Sequence, residues 1–599
     1  MMLRAGPLEM RYGYGDLRAI SVGGREIVRR IYAAVRDRNW DTAPNALDNV
    51  VVQARPDAFD VSFACENRLN DVDFAWRGAI HGSAEGTVTY RLEGSARATF
   101  LKNRIGFCVL HPAACAGAQC EIQHADGGRE RAVLPRRIIA AQPVSPFENM
   151  RLFRQRIAGG AWLEIAFEGD LFEMEDQRNW TDASYKTFST PLRLPFPVEV
   201  KQGAHVRQMI TLRVEGLPRR GRARPSANPL ISFSDHTVPL PRIGLGMPAD
   251  APAPREGAVQ ALRGLKLAHL RADLDLSGDT VVGDLRRATA MSKRLGLPLE
   301  LALLVPAEDA DVALLRARAA IQAARPRIAR WLIYRAVEVQ TEPPPIQTLV
   351  GLARRHLKGL APRAPFASGV NTDFMFLNRH PLAATGMDAL TVAINPQVHA
   401  FDDASLVETL AAQGTLAKNL QRLARSKPVI VSPVTLLPRF NPYATAALAR
   451  ASPPADPRQR TAFGACWALG SLKYLAEAGM SSVTFFETHG PRGLLEGRNI
   501  FPVYALFAAV GAFAGGAVLA SASSRPLTAD ALVLVKGRRT SALIANFAEG
   551  ETDIEVRTAA RPKRIDRVVG AESAPATYMD GRLRLRVAGR SITRVTWAQ

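Results

Sequence analysis

Glu487 ends the run Ser-Val-Thr-Phe-Phe-Glu and is followed by Thr-His-Gly-Pro-Arg-Gly. A carboxylate that closes an apolar strand is partly desolvated, which raises its pKa toward that of a useful general base. His399, in Ile-Asn-Pro-Gln-Val-His-Ala-Phe-Asp-Asp, stands just past a second apolar run and suits acid/base work or ligation. Asn371 follows Phe366–Val370 and supplies amide donors for a developing oxyanion. Asp273, Asn395 and Arg492 occupy comparable places after other runs and suit the binding of a polar substrate. The stretch Phe172–Thr187 has a different character. Asn179, Trp180, Asp182 and Lys186 crowd into it beside Glu173, Glu175 and Asp176. An aromatic platform among acids, amides and a lysine fits a hydroxylated, sugar-like ligand. A zinc site from Asp273, His399 and His489 lacks any short ligand spacing, so no metal and no cofactor is expected.

Reacting groups at the ends of apolar strands imply a (β/α)8 barrel, whose chemistry sits where strands end and βα loops begin. The chain supports this between about 228 and 515, where short apolar strands alternate with Ala/Leu/Arg helices. Eight strands are expected, at Ile243–Met247, Leu267–Leu270, Leu299–Val305, Arg330–Arg335, Phe366–Val370, Ala389–Ile394, Pro428–Ser432 and Ser482–Glu487. Helices are expected between them, over Asp279–Arg294, Ala310–Ala323, Pro345–His356, Ser405–Ala424 and Gln459–Glu477. A doubly wound sheet is disfavoured, because no G-x-G-x-x-G follows the first strand and no Walker A motif occurs. Before the barrel, strands such as Ala58–Ala64, Gly86–Gly94, Ala161–Phe167 and Val206–Val214, with turns at Glu85-Gly86 and Asp126-Gly127-Gly128, read as an all-β sandwich. The Pro- and Arg-rich Leu217–Ala227 reads as a linker. After the barrel, strands return from Ala531 to Trp597. The expected domains are therefore an N-terminal β domain (1–225), a TIM barrel (226–520) and a small C-terminal β domain (521–599).

Composition narrows the partners. In 599 residues, 47% are hydrophobic and 22% charged, an ordinary globular balance. The basic excess of 21 is mostly Arg scattered along the chain rather than gathered in blocks, so no nucleic acid is expected. Ile500–Ser524 carries no charge and is long enough to span a bilayer, but its Pro502, Gly515 and Gly516 fit a buried helix over Val503–Ala514, a turn and a strand Ala517–Ala520. No membrane association is expected. The five cysteines form no C-x-x-C, and the first residues lack a signal-peptide apolar core, so a cytoplasmic location is expected.

Several stretches carry a resemblance. Glu173–Thr187 (EMEDQRNWTDASYKT), Asn103–Pro112 (NRIGFCVLHP), Arg29–Trp40 (RRIYAAVRDRNW), Ile394–Asp403 (INPQVHAFDD) and Phe486–Thr488 (FET) resemble the bacterial D-apionate lactonase family over nearly the whole chain. The resemblance implies an N-terminal β domain, a TIM barrel and a C-terminal β domain. It also implies a small sugar lactone as substrate, with hydrolysis of D-apionolactone to D-apionate in apiose catabolism. Two departures stand out. The family tends to carry Thr-Gly-Trp-Arg-Gly after its strand-eight Glu, so His489 is not a family residue. Its strand-five loop resembles N-x-x-F-x-E-L-N-R, whereas Phe376 occupies the acidic position in Asn371–Arg379 here. The barrel also resembles TIM-barrel glycosidases with flanking β domains. Retaining members need two carboxyl groups about 5–5.5 Å apart. Here Ser432 stands at the strand-seven mouth, and Trp331-Leu-Ile-Tyr-Arg continues to Ala-Val-Glu338 without an Asn-Glu pair. Glycoside hydrolysis and non-catalytic carbohydrate binding are the alternatives. One missing carboxylate favours ester hydrolysis, for which a base and an oxyanion stabiliser suffice.

Overall fold

The computed structural model describes the chain except residues 218–227, 249, 337–345, 383–385, 440–454, 572–575 and 599. The linker reading at Leu217–Ala227, apart from its first residue, and Glu338 lie outside the described residues. The chain divides into two compact units, Met1–Asn179 with Ala183–Ser226, and Trp180–Asp182 with Ala227–Gln599.

The first unit is built from two antiparallel sheets, of eight and nine strands. Period-two burial explains the register: Val72–Gly82 alternates buried and partly exposed side chains along its length. It pairs with Phe59–Leu69 so that Phe63 faces Gly78 and Phe59 faces Gly82. A Cβ at either glycine would come within 2.2 Å of the facing ring. One apolar cluster draws on both sheets, with Phe59, Phe74, Phe107, Phe153 and Tyr185 among its members. The segment Glu173–Asp176 and Ser184–Phe188 forms a hairpin at one edge of the eight-stranded sheet.

In the second unit a closed parallel barrel runs β1 (Arg242–Gly246), β2 (His269–Asp275), β3 (Leu299–Val305), β4 (Ile328–Arg335), β5 (Phe366–Val370), β6 (Ala389–Ile394), β7 (Val429–Val434) and β8 (Ser482–Glu487). The eight strands expected from sequence are present, with ends displaced by a few residues. The outer helices are α1 (Glu256–Gly264), α2 (Val281–Leu295), α3 (Ala310–Ala324), α4 (Ile346–Leu357), α5 (Phe374–Arg379), α6 (Asp403–Ala424), α7 (Ala462–Glu477) and α8 (Pro502–Gly511). The uncharged stretch after Ile500 thus holds a ten-residue helix, starting at Pro502 and buried through Val503, Leu506, Phe507 and Val510. Among the described residues no helix is long and apolar enough to cross a membrane.

A nine-stranded sheet takes Leu230–Pro239 from before the barrel and the remaining strands from Ala517 onward. Leu230–Pro239 pairs antiparallel with Ala517–Ser523 and parallel with Thr552–Arg557, so the chain enters and leaves the barrel through the same sheet. Helix α7 lies against it: Tyr474 donates to Asp530 at 2.8 Å, and the Cys466 thiol meets the Ser591 carbonyl at 3.4 Å. All five cysteines are free and buried.

Candidate active site

The barrel interior is polar where most barrels are filled by branched apolar side chains. Glu300, the second residue of β3, is fully buried. Its Oε1 accepts from Ser432 Oγ at 2.5 Å and from Thr484 Oγ1 at 3.0 Å. Arg330 Nε stands 3.3 Å and His269 Nε2 3.7 Å from its Oε2. Burial alone would raise the Glu300 carboxyl, but His269, Arg330 and Arg271 outweigh that and hold it below its ordinary value. Burial pushes His269 down to about 4, into the range where Glu300 itself titrates. Gly244 on β1 makes room for that ring, since a Cβ there would lie 2.1 Å from His269 Nε2.

Arg271 joins this interior to the strand ends. It is 1% exposed and donates to Ser432, Asp273 and Asn371, on or just after β7, β2 and β5. Arg271 and Asp273 are two apart on one strand, so their side chains share a face. Arg439, in the loop after β7, reaches both Asp273 oxygens at 3.3 Å. Burial would raise Asp273; the two guanidiniums reverse that and hold the carboxyl far below the usual range. Tyr334, hydrogen-bonded to Thr391 at 3.0 Å, is raised by burial to about 12.

Glu487 is set by a bulge. Leu245 pairs with Phe485 but Gly246 pairs with Glu487, so Phe486 is skipped. Phe486 takes φ 40°, a left-handed conformation that is rare for a bulky residue and recurs at functional sites. A Cβ on Gly246 would come 2.7 Å from the Phe486 carbonyl, so glycine there makes the close approach possible. The Glu487 Oε1 accepts from Arg492 Nε at 2.9 Å, while Oε2 is buried with no hydrogen-bond partner among the described residues. Arg492 also donates to Asp250 at 2.8 Å. Burial raises the Glu487 pKa, and Arg492 offsets this only in part.

The remaining expected residues separate. His399, after β6, stands with Nδ1 2.7 Å from Asp182, and the Trp180 ring meets it edge-on at 5.4 Å between centroids. Trp180 and Asp182 fall within the second unit. Asn179 and Lys186 belong to the first, where Asn179 donates to the Ile139 and Asp176 carbonyls and Lys186 to Glu175 at 2.5 Å. Asn395 lies 3.4 Å from Asp373. His489 engages Thr488 through Nδ1 and the Pro252 carbonyl through Nε2. Asp273, His399 and His489 thus each serve a different neighbour.

Sequence reading passed over Glu300, Arg330, His269 and Arg439. The first had a signal, a lone acid within Leu-Glu-Leu-Ala-Leu-Leu-Val. Arg439 had none, because loop residues carry no periodicity.

Residues 1–217 match the family model described as the D-apionate lactonase N-terminal domain, and residues 243–515 match that described as the D-apionate lactonase TIM barrel domain. The chain is 30% identical over 518 residues to a D-apionate lactonase of Brucella anthropi, covering 83% of this chain and 84% of that protein. Solved structures similar to it include a GH30 endoxylanase from Clostridium papyrosolvens C71, at 10% identity and TM-score 0.42 over 62% of this chain and all of that one. A family 51 α-L-arabinofuranosidase from Bifidobacterium longum is similar at 11% identity and TM-score 0.42, with the same coverage.

Proposed function

The chain belongs to the D-apionate lactonase family, and from that premise we propose that it hydrolyses a sugar lactone, D-apionolactone to D-apionate, in the cytoplasm. The supporting observation is Glu487, a buried carboxylate with one oxygen held by Arg492, the other unpartnered among the described residues, and a raised pKa. In this reading a water attacks the lactone carbonyl carbon and Glu487 takes its proton. Asn371, its oxygen committed to Arg271, has only amide N–H groups to offer the developing oxyanion. Asp273, held ionised by two arginines, and Asn395 bind substrate hydroxyls, with Trp180 as the apolar wall. Arg492 keeps Glu487 in place beside the substrate. Asn179 and Lys186 support the loop that carries Trp180 and Asp182, through their bonds to Ile139, Asp176 and Glu175. We also read the two-sheet first unit as a β-sandwich domain (1–225), followed by the barrel (226–520) and a C-terminal β domain (521–599) that borrows Leu230–Pro239.

Purified protein with D-apionolactone, followed by proton release, tests the reading. Acceleration over spontaneous hydrolysis is expected. Glu487→Gln keeps the shape and removes the base, and should lower kcat by about 10²–10⁴-fold. Near-normal turnover by a folded Glu487→Gln protein would remove Glu487 from the mechanism. Cleavage of an aryl glycoside without lactone turnover would replace the lactonase reading with glycoside hydrolysis.

A further inference from the structure

The Asp182–His399 pair has no part in the attack just described, and ring opening poses a second problem. Breaking the acyl C–O bond expels an alkoxide, a strong base that departs slowly unless it is protonated as the bond breaks. Asp273 cannot provide that proton, because Arg271 and Arg439 keep it ionised.

His399 is built to provide it. Its Nδ1 is committed to Asp182 Oδ2 at 2.7 Å, which fixes the proton on Nδ1 and leaves Nε2 as the exchanging nitrogen. The Trp180 ring packs edge-on against the imidazole, at an interplanar angle of 83°. Asp182 is 8% exposed, so its charge acts on the ring with little screening by water. It is the charged group that the described structure places against His399.

Building on the lactonase reading above, we propose that His399 is the general acid for the departing ring oxygen and that Asp182 is its positioning residue. Water oxygen forms the new bond to the carbonyl carbon, and its proton passes to Glu487. The tetrahedral intermediate collapses, the ring C–O bond breaks, and that oxygen takes the Nε2 proton of the imidazolium. The product leaves as a hydroxy acid; Glu487 then loses its proton to solvent and His399 regains one. The Asp182 carboxylate stabilises the imidazolium before transfer and holds the ring in line.

The test is the pH dependence of kcat/KM for D-apionolactone in the wild type, His399→Gln and Asp182→Asn. The wild type should lose activity on the alkaline side, as a reaction that needs a protonated general acid does. His399→Gln should lower kcat by about 10²–10⁴-fold with KM little changed, and should abolish that alkaline fall. Asp182→Asn should lower kcat with KM little changed, because the ring loses the anchor that orients Nε2, and Asp182→Glu should restore part of the loss. A role confined to folding would lower the melting temperature without moving the limb. An active wild type whose kcat and alkaline limb are unchanged in His399→Gln would overturn this inference and leave Glu487 untouched. A wild type inert toward the lactone would end both readings.

Discussion

Asp273 and Glu487 both stand where barrel strands end, and both are held by arginine, yet they are driven in opposite directions. At the β2 end, two guanidiniums converge on Asp273 and both its oxygens are bonded. At the β8 end, Glu487 is hydrogen-bonded to Arg492, which it shares with Asp250, and one buried oxygen has no hydrogen-bond partner among the described residues. Desolvation acts on each carboxylate in the same sense; two hydrogen-bonded guanidiniums outweigh it at Asp273, whereas at Glu487 the bonded Arg492 and the more distant Arg439 offset it only in part. Asp273 is a permanent anion, suited to receive hydroxyl hydrogen bonds. Glu487 is held above its ordinary carboxylate value, as the proposed base requires. Two carboxylates on one rim are thus shifted in opposite directions by their neighbours, which is what the two proposed tasks need.

The contrast breaks most severely at Arg271, because that side chain bonds groups on or beside three strands. Arg271→Met keeps the length but leaves the Asn371 oxygen and the Ser432 carbonyl without this donor and strips one cation from Asp273. The Asp273 side chain is 33% exposed and keeps Arg439, so the lost ion pair itself contributes little. Leaving the buried Asn371 and Ser432 oxygens without this donor costs about 1–3 kcal/mol each, so a loss of about 2–4 kcal/mol is expected, read from urea unfolding midpoints. A variant as stable as the wild type would show that the β2 end is not organised by this guanidinium.

A smaller effect tests the sign of the contrast directly. The folded pKa of Asp273 is depressed, so its ionisation contributes stability above about pH 3.9, its unfolded value, which is lost as pH falls toward the folded one. Asp273→Asn should cost about 1–3 kcal/mol at pH 7, the scale of stripping a partner from a buried charge, with the deficit shrinking in acid. The folded pKa of Glu487 is raised, so its contribution is fully present below about pH 4.3 and is lost as pH rises through the folded value. Glu487→Gln should therefore gain slightly in stability relative to wild type as pH rises to neutrality. Unfolding curves for both variants from pH 3 to 8 decide it; two differences of the same sign would mean that the rim does not sort its carboxylates.

The barrel was readable because its strands are short, apolar and separated by amphipathic helices; Leu299–Val305, Phe366–Val370, Ala389–Ile394 and Ser482–Glu487 coincide with the expected spans. Glu487 was readable for the same reason, as a charge at the end of an apolar run. What escaped was pairing across strands. Nothing local says that Glu300 on β3 meets Ser432 on β7 and Thr484 on β8, because closure of the barrel brings them together. The polar stretch Phe172–Thr187 was conspicuous, but its partition was not. Glu175–Lys186 and Asp176–Arg178 satisfy themselves as buried ion pairs, while Trp180 and Asp182 turn to His399. Composition marks such a stretch as unusual without saying which charges will neutralise one another.

The smallest effect should come from Arg492, and it sharpens the comparison most finely. If bonded guanidiniums set the difference between the two ends, then removing the arginine bonded to Glu487 should exaggerate it. Arg492→Gln removes the larger of the two cationic groups that offset burial and takes one cation away from nearby Asp250, and both changes favour the protonated acid. The acid limb of kcat/KM should therefore move to higher pH. At pH 7 the cost should be modest, roughly twofold to fivefold, the scale of an ion pair near the surface, because above its pKa the freed carboxylate remains a competent base. Arg492→Lys should fall between the two, since an ammonium restores the charge without the second, Asp250-directed donor. An acid limb that stays put or moves to lower pH would mean that Glu487 is not the group titrating there.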